Sequence, residues 1–215
     1  MRDLSLKGIA RKYRAKSGAI SVKQDIFGTP SISGMVSLRI KLEELARRHH
    51  FFDVSECVYG WTASYEQVWT HIVVRIKLDP DDSITDTTLD TLQSTWENGI
   101  ETIWSDRWGC GRSGELACPL TFEVLWVEAF AHHTVRVVDG PGRSNMTTWH
   151  SPDNGGVAAH ETGHMFGHPD EYGDAACPDR EPVNTGSIMH MTTGDVPQRL
   201  MTRFAENIGS SVVGI

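Results

Sequence analysis

The sequence lacks the features of a membrane protein or of a conventionally secreted one. No run of apolar residues approaches the ~18 that a membrane-spanning helix needs, and hydrophobic residues make up 39% of the 215 positions. The first residues, Met1 to Lys7, contain no apolar stretch of the kind found in secretory signal peptides. We therefore expect no membrane span, and we expect any export to proceed without a classical signal peptide.

Cysteine is also scarce, and none of the 4 cysteines has C-x-x-C spacing, which argues against a structural zinc knuckle. Cys110 and Cys118 flank a glycine-containing turn, so they are candidates for a disulfide that closes a short loop. Such a bond would place the protein in an oxidising compartment. Four free thiols are the alternative, and the sequence does not decide between the two.

Charge is unevenly distributed along the chain. The net charge is −8, yet residues 1–50 carry 11 Lys and Arg against 4 Asp and Glu. We take this contrast as a boundary between a basic arm or linker, 1–50, and the main domain, 51–215. A solvated linker is favoured over a docking arm, because few aromatic residues interleave the basic ones as they do in nucleic-acid binders. No nucleic-acid partner is expected.

Apolar periodicity predicts alternating helices and strands of an α/β (α+β) domain. Thr85 to Trp104 has apolar residues every three or four positions, as in a long amphipathic helix. Asp195 is expected to cap a last helix that has Pro197 in its first turn. Strands are predicted over 68–78, 121–128, 133–138 and 143–150, and further helices over 37–50 and from Asn154 to about Phe166.

One stretch, from His160 to Tyr172, has the sequence H-E-T-G-H-M-F-G-H-P-D-E-Y. On a helix His160 and His164 share one face and can bind one metal ion. Glu161 lies beside them and can take a proton from a metal-bound water. A surface helix with two ordinary histidines is the alternative. A second motif further along the chain, Ser187-Ile188-Met189, argues against this alternative.

Together these motifs resemble the metzincin branch of the zinc metallopeptidases, with H-E-x-x-H-x-x-G-x-x-D followed by a Met-turn. The aspartate resembles the snapalysin type, and the D-E-Y run is similar to the IgA-peptidase family and to metallopeptidase toxin domains of bacterial effectors. The resemblance implies Zn²⁺ bound by His160, His164 and Asp170, with Glu161 as general base and Met189 in the Met-turn.

Two further residues, Glu171 and then His168, are the alternative third ligands. Gly167 and Pro169 argue against a helix that continues far enough to present His168. Two imidazoles and one carboxylate would leave zinc an open position for water. His190 and Tyr172 are candidates, by position alone, for the oxyanion donor, although each is more often a packing residue.

The fold implied by the resemblance is zincin-like. It has a mixed twisted sheet with an antiparallel edge strand, a long backing helix, an active-site helix, a Met-turn and a C-terminal helix. The edge strand would include Asn145, Met146 and Thr147, and an extended substrate could pair with it. An ordinary edge strand is an equal alternative.

The function predicted is that of a zinc endopeptidase, most simply an exported effector or toxin domain that acts in the periplasm or a target cell. Its expected partners are a protein or peptide substrate and a cognate inhibitor, immunity protein or carrier. A zinc amidase that cuts cell-wall peptide is one alternative. A non-catalytic, zinc-stabilised binding module is another, and Glu161 argues against it because a structural site needs no base.

Overall fold

The structure is a computed structural model that describes residues 47–111 and 117–215. The chain separates into two units, 1–41 and 42–215, and the first lies outside the described residues. The described part contains nine strands and three helices. They are β1 Arg47–Glu56, β2 Tyr59–Val68, β3 His71–Pro80, α1 Asp86–Trp104, β4 Gly109–Gly111, β5 Cys118–Pro119, β6 Thr121–Trp126, β7 His133–Val138, β8 Thr148–His150, α2 Gly155–Met165, α3 Gln198–Glu206 and β9 Ser211–Val213.

The main sheet is mixed, with the strand order β1-β2-β3-β7-β8 and with β6 paired to β3. The β1–β2 and β2–β3 pairs are antiparallel, whereas β3 runs parallel to both β6 and β7. A small antiparallel sheet has the order β5-β4-β9. The predicted mixed-sheet α+β class is confirmed at this level, and no helix of the described part is long and apolar enough to cross a membrane.

The long helix α1 forms where it was predicted. Thr85 caps it, with the hydroxyl accepting a hydrogen bond from the backbone N of Thr88 at 3.2 Å. One face of the helix is buried against the sheet and α2, as its apolar spacing requires, and this face comprises Leu92, Trp96, Ile100 and Trp104. The strands predicted over 121–128 and 133–138 are β6 and β7, and the one predicted over 68–78 is β3, shifted by two or three residues.

The start of the domain differs from the prediction. The helix expected over 37–50 is wrong for residues 47–50, which open strand β1, and residues 37–46 lie outside the described part. The predicted boundary after residue 50 therefore falls inside a strand. The leucines that suggested a helix end at Leu45, and the polar and aromatic residues that follow pair with β2 through ten register positions. That pairing depends on a partner strand, which local periodicity does not reveal.

The predicted edge strand at Asn145, Met146 and Thr147 is also wrong. These residues form a tight turn in which Asn145 and Thr148 exchange backbone hydrogen bonds of 2.9 and 3.1 Å. The Asn145 side chain accepts from the backbone N of Thr147, the local bond by which asparagine favours turns. Only 148–150 form the edge strand β8, and it runs parallel to β7. The antiparallel edge strand is β1, at the opposite edge.

The candidate disulfide between Cys110 and Cys118 is not formed, and the alternative of four free thiols is also wrong. The two residues face each other in the β4–β5 pair, but both are free thiols. The disulfide joins Cys57 to Cys177 across 120 residues of sequence. Sequence spacing suggests only short loops, whereas here the β1–β2 turn is brought to a distant loop by the fold.

The last helix, α3, follows the prediction except at its cap. Leu200 and Phe204 are buried, and Gly209 ends the segment with φ +65°. The N-cap residue is Pro197, with no side-chain cap, so the cap predicted at Asp195 is wrong. The backbone of Asp195 instead accepts a hydrogen bond from the N of Ile188 at 2.7 Å.

Helices α1 and α2 cross with their backbones almost in contact. A Cβ added to Gly99 would lie 2.2 Å from the Cα of Gly155, a distance that atoms do not reach. The indole N–H of Trp104 donates to the carbonyl of Ala159 at 3.0 Å and fixes the two helices in register. The position of α2 therefore depends on a glycine in α1.

We expect Gly99→Ala to lower the free energy of unfolding by about 1–3 kcal/mol, because the new methyl meets backbone that cannot move aside. In an unobstructed helix the same change would stabilise by about 1 kcal/mol. Urea unfolding followed by tryptophan fluorescence measures the difference. The control is Asn98→Ala on the exposed side of α1, which should be neutral or slightly stabilising. A stabilised Gly99→Ala protein would contradict the close helix crossing.

Candidate metal centre

The motif helix α2 has a defined start and a defined end. At its N-terminus the Asn154 side chain accepts hydrogen bonds from the backbone N of Gly156 and Val157, at 2.9 and 3.1 Å. At its C-terminus the chain turns at Gly167, whose φ of +91° is a backbone conformation that suits glycine. His160 and His164 therefore lie one turn apart on α2, and the chain leaves the helix before residue 168.

Two imidazoles and one carboxylate converge on a single point. The Nε2 atom of His160 lies 3.1 Å from Oδ1 of Asp170, and the Nε2 atom of His164 lies 3.2 Å from the same oxygen. Oε2 of Glu161 lies 4.0 Å from Nε2 of His164. Potential ligand atoms of His160, Glu161 and His164 all lie within 4.8 Å of one another and could hold a metal ion.

Backbone carbonyls orient both rings. Nδ1 of His160 donates to the carbonyl of Ile188 at 2.7 Å, and Nδ1 of His164 donates to the carbonyl of His168 at 2.8 Å. With a proton held on Nδ1, the Nε2 atom of each ring faces Asp170. A protonated Nε2 donates to that carboxylate, and once this proton is lost its lone pair is available to a metal. This is the tautomer that a metal-binding histidine needs.

The charges of the cluster depend on one another. Burial opposes ionisation of Asp170, but hydrogen bonds with His160 and His164 outweigh it and hold the pKa of that carboxyl well below its usual range. Burial alone would lower the pKa of His160, yet the bond with Asp170 raises it above its ordinary value. The Asp170 carboxylate is therefore negative, as a metal ligand must be.

The carboxylate of Glu161 is buried but has no hydrogen-bond partner among the described residues. Burial raises its pKa, and the neighbouring His164 and His160 oppose this shift only in part. A carboxylate of raised pKa, free to accept a proton, is suited to general-base chemistry.

The predicted Met-turn lies directly beneath α2. The backbone N atoms of His190 and Met191 both donate to the carbonyl of Ser187 at 2.9 Å, which closes a tight turn. Met189 is fully buried, and its sulfur would be 2.3 Å from a Cβ added to Gly163 of α2. The turn therefore supports the helix from below, and through the carbonyl of Ile188 it also orients His160.

The two alternative third ligands lie elsewhere. The Glu171 carboxylate is buried and bound by Arg199, Ser187 and Thr185, and despite burial these bonds lower its pKa. The His168 ring is stacked in the core, and burial lowers its pKa to about 3. Of the three candidates, Asp170 is the one that the structure brings to the histidines.

The residues proposed by position as oxyanion donors both lie at the site. Burial, together with a hydrogen bond to Asp170, raises the pKa of Tyr172 to about 12, so its hydroxyl is a donor to that carboxylate. Nδ1 of His190 accepts from the backbone N of Gly186 at 3.0 Å, and the side chain lines the cleft. Tyr172 therefore orients Asp170.

Several residues at the site escaped sequence reasoning. Trp61, from β2, donates its indole N–H to the carbonyl of His164 at 2.8 Å and meets that ring edge-on. Arg180 lies between the rings of Tyr59 and Tyr172 and forms an ion pair with Glu56. The contacts of Trp61 with His164, and of Arg180 with Tyr59 and Glu56, each span more than one hundred residues, and no local signal in the sequence indicates them.

Next to His160 and Glu161 a cleft of about 320 Å³ opens to solvent. It is lined by residues 142–144, the first turns of α2, Tyr172 and residues 190–192. Arg143 is the basic side chain of this lining, and its Nη2 donates to the Tyr172 hydroxyl at 3.2 Å. The cleft therefore connects the cluster to solvent.

We expect Glu171→Gln to lower the free energy of unfolding by about 2–3 kcal/mol at neutral pH, because it uncouples a buried carboxylate from Arg199. The pKa of Glu171 is lowered by folding, so its stabilisation is present above the ordinary glutamate value of 4.5 and is lost as acid protonates the folded protein. The difference from wild type should therefore shrink below about pH 4.

Urea unfolding at pH 7, 5 and 3 measures this difference. The matched control is Glu181→Gln, the same substitution at an exposed position of the neighbouring loop, where we expect a change within about 0.5 kcal/mol. Equal stabilities of the two variants at pH 7 would show that Glu171 is not a structural anchor.

Comparison of the chain with protein-family models, curated proteins and solved structures found no match. The positions of the side chains support a candidate metal centre formed by His160, His164 and Asp170 with Glu161 beside it.

Proposed function

We propose that this protein is a zinc-dependent peptidase of the metzincin type. In this proposal His160, His164 and Asp170 hold the metal and Glu161 is the general base. The observation that carries it is the approach of two imidazole Nε2 atoms, at 3.1 and 3.2 Å, to one oxygen of Asp170. The unpaired carboxylate of Glu161 next to them completes the set of groups that hydrolysis requires.

The donor set fits zinc. Two neutral imidazoles and one carboxylate are a common three-residue ligand set of catalytic zinc sites, and they leave one position open. Both rings are held in the required tautomer by backbone carbonyls, as tightly bound zinc ligands usually are. When bound, zinc supplies Lewis acidity and lowers the pKa of a coordinated water to about 7.

Each residue then has a defined task. Glu161 is buried and has a raised pKa. Its carboxylate is placed to accept a proton from the water that attacks the substrate. It can hold that proton and deliver it to the departing amine. Tyr172 keeps Asp170 in place, and the carbonyls of Ile188 and His168 orient the two imidazoles.

A non-catalytic zinc-stabilised module is disfavoured by the same geometry. A structural zinc site closes its coordination with a fourth protein ligand and needs no base. Here the additional group is Glu161, which is buried at the floor of an open cleft. Burying a carboxylate without a hydrogen-bond partner is costly, and a role in proton transfer gives a reason for that cost.

The disulfide between Cys57 and Cys177 supports a function outside reducing compartments. It joins the β1–β2 turn to the loop that follows Tyr172. This agrees with the proposal of an exported enzyme that acts on protein or peptide substrates.

The test is zinc content measured together with cleavage of denatured casein. We expect one zinc per chain and cleavage by the wild type, both abolished by a chelator and restored by added zinc. Glu161→Gln should keep zinc but lose about 10²–10⁴-fold in rate, which is the usual contribution of a general base. Asp170→Asn should lose zinc, whereas Glu171→Gln should keep it.

Circular dichroism of each variant separates loss of zinc from loss of fold. Wild-type rates in Glu161→Gln would sink the hydrolase proposal. Retention of zinc by Asp170→Asn together with its loss from Glu171→Gln would exchange the roles of the two carboxylates.

A second expectation concerns Trp61. Trp61→Phe keeps an aromatic ring against His164 but removes the N–H that binds its carbonyl. Removing a group that orients a metal ligand typically lowers metal affinity by about 10- to 100-fold. Because the Trp61 bond acts through the backbone of His164, we expect a loss at the lower end of that range, about tenfold. Competition with a chromophoric zinc chelator measures it. Trp69→Phe, at the exposed β2–β3 turn, is the matched control and should bind zinc as the wild type does.

A further inference from the structure

The charge of the cleft is unusual for this domain. Residues 51–215 carry 9 Lys and Arg against 24 Asp and Glu, yet the rim of the cleft presents the arginine Arg143. Its side chain is exposed, and among the described residues no carboxylate lies within ion-pair distance of it. Its hydrogen bond goes to a neutral hydroxyl, that of Tyr172. The positive charge is therefore available to a ligand.

The backbone that carries Arg143 is anchored on both sides. A Cβ on Gly142 would lie 2.0 Å from the imidazole of His150, so the Gly142 backbone lies flat against that ring. On the other side the Ser144 hydroxyl donates to the Asp153 carboxylate. A rigid base lowers the entropic cost of placing a guanidinium for binding.

Three acidic groups lie at or near the cleft, and none is an ion-pair partner of Arg143. Asp153 accepts hydrogen bonds from the Ser144 hydroxyl and from the backbone N of His150. Asp170 and Glu161 carry two negative charges that a bound divalent ion would balance. Among the described residues, the Arg143 guanidinium therefore has no carboxylate partner at the cleft and can bind one from a ligand.

Arg143 is also close to the reacting end. Its Nη2 lies 3.2 Å from the Tyr172 hydroxyl, and that hydroxyl is hydrogen-bonded to Asp170. A single tyrosine side chain therefore separates the guanidinium from the proposed metal ligand. An extended peptide advances about 3.3 Å per residue, so a group bound to Arg143 belongs to a residue near the cleaved bond.

From these observations we infer that Arg143 forms an anion subsite that selects substrates with a carboxylate within about two residues of the cleaved bond. A guanidinium binds a carboxylate through two parallel hydrogen bonds. The carboxylate belongs either to an acidic side chain or to a free C-terminus. This inference rests on the proposed peptidase function, because the subsite is defined relative to the same cluster.

The experiment uses three kinds of peptide of equal length, each labelled with an uncharged BODIPY fluorophore. The first is neutral and amidated, the second has one Glu moved through successive positions, and the third is neutral with a free C-terminal carboxylate. Cleavage is measured as kcat/KM with the zinc-loaded wild type. Binding is measured by fluorescence anisotropy with Glu161→Gln, with and without zinc, so that recognition is read independently of hydrolysis.

We expect a carboxylate at the right position to raise both kcat/KM and affinity about tenfold over the neutral peptide, as a charge-assisted hydrogen bond does. The gain should fall between 50 mM and 500 mM salt, because the site is exposed. Arg143→Ala should abolish the gain, and Arg143→Glu should replace it with a preference for Lys at the same position. Arg107→Ala removes an exposed arginine at the far end of α1 and should leave the gain intact.

The outcomes distinguish the two sources of the carboxylate, and they test the subsite separately from the peptidase proposal. A gain confined to internal Glu identifies an acidic side chain, and a gain confined to the free C-terminus identifies a terminal carboxylate. Cleavage that ignores peptide charge, or a preference retained in Arg143→Ala, overturns the subsite and leaves the peptidase proposal standing. Arg143-dependent binding without any cleavage overturns the peptidase proposal and keeps the subsite. No binding of any peptide overturns the subsite as well.

Discussion

The close crossing of α1 and α2 is the constraint on which the site depends. Gly99 and Gly155 bring the two backbones together, and the indole N–H groups of Trp96 and Trp104 bind carbonyls on both sides of the start of α2. The rotation and height of α2 are fixed by these contacts. Because the two histidines are carried on that helix, their imidazoles can converge only if the crossing is kept, and the Met-turn then supports the helix from the other side.

Two neighbouring acidic residues of this site have different contacts because the backbone directs their side chains to opposite sides. Asp170 and Glu171 lie in a non-helical segment, where successive side chains point in opposite directions. One carboxylate reaches His160 and His164, and the other enters a buried network with Arg199 and the Met-turn. One residue is therefore available to a metal while its neighbour anchors the loop that carries both. Exchanging their positions would leave two buried carboxylates without their partners, which is costly.

The β1–β2 hairpin reaches the site from the far edge of the sheet. It supplies Trp61 to the carbonyl of His164, and through Cys57 and Glu56 it holds the loop that contains Cys177 and Arg180. This loop begins just after Tyr172, so the hairpin also stabilises the segment that presents Asp170. A strand pair of modest apolar content thereby contributes to the geometry of the cluster.

Local chemistry in the sequence determined α1, α2, β3, β6 and β7, together with the face shared by His160 and His164, because periodicity and helix caps act over a few residues. The turn at Gly167 follows from a similar short-range signal, whereas Met189 was predicted only from the family resemblance. The tertiary structure decided the rest: the β1–β2 pair, the partner of Cys57, the turn at Asn145 and the placement of Asp170, rather than Glu171 or His168, against the two histidines. Each of these depends on a group distant in sequence or on competition between neighbours for one buried position, and neither is encoded in local spacing.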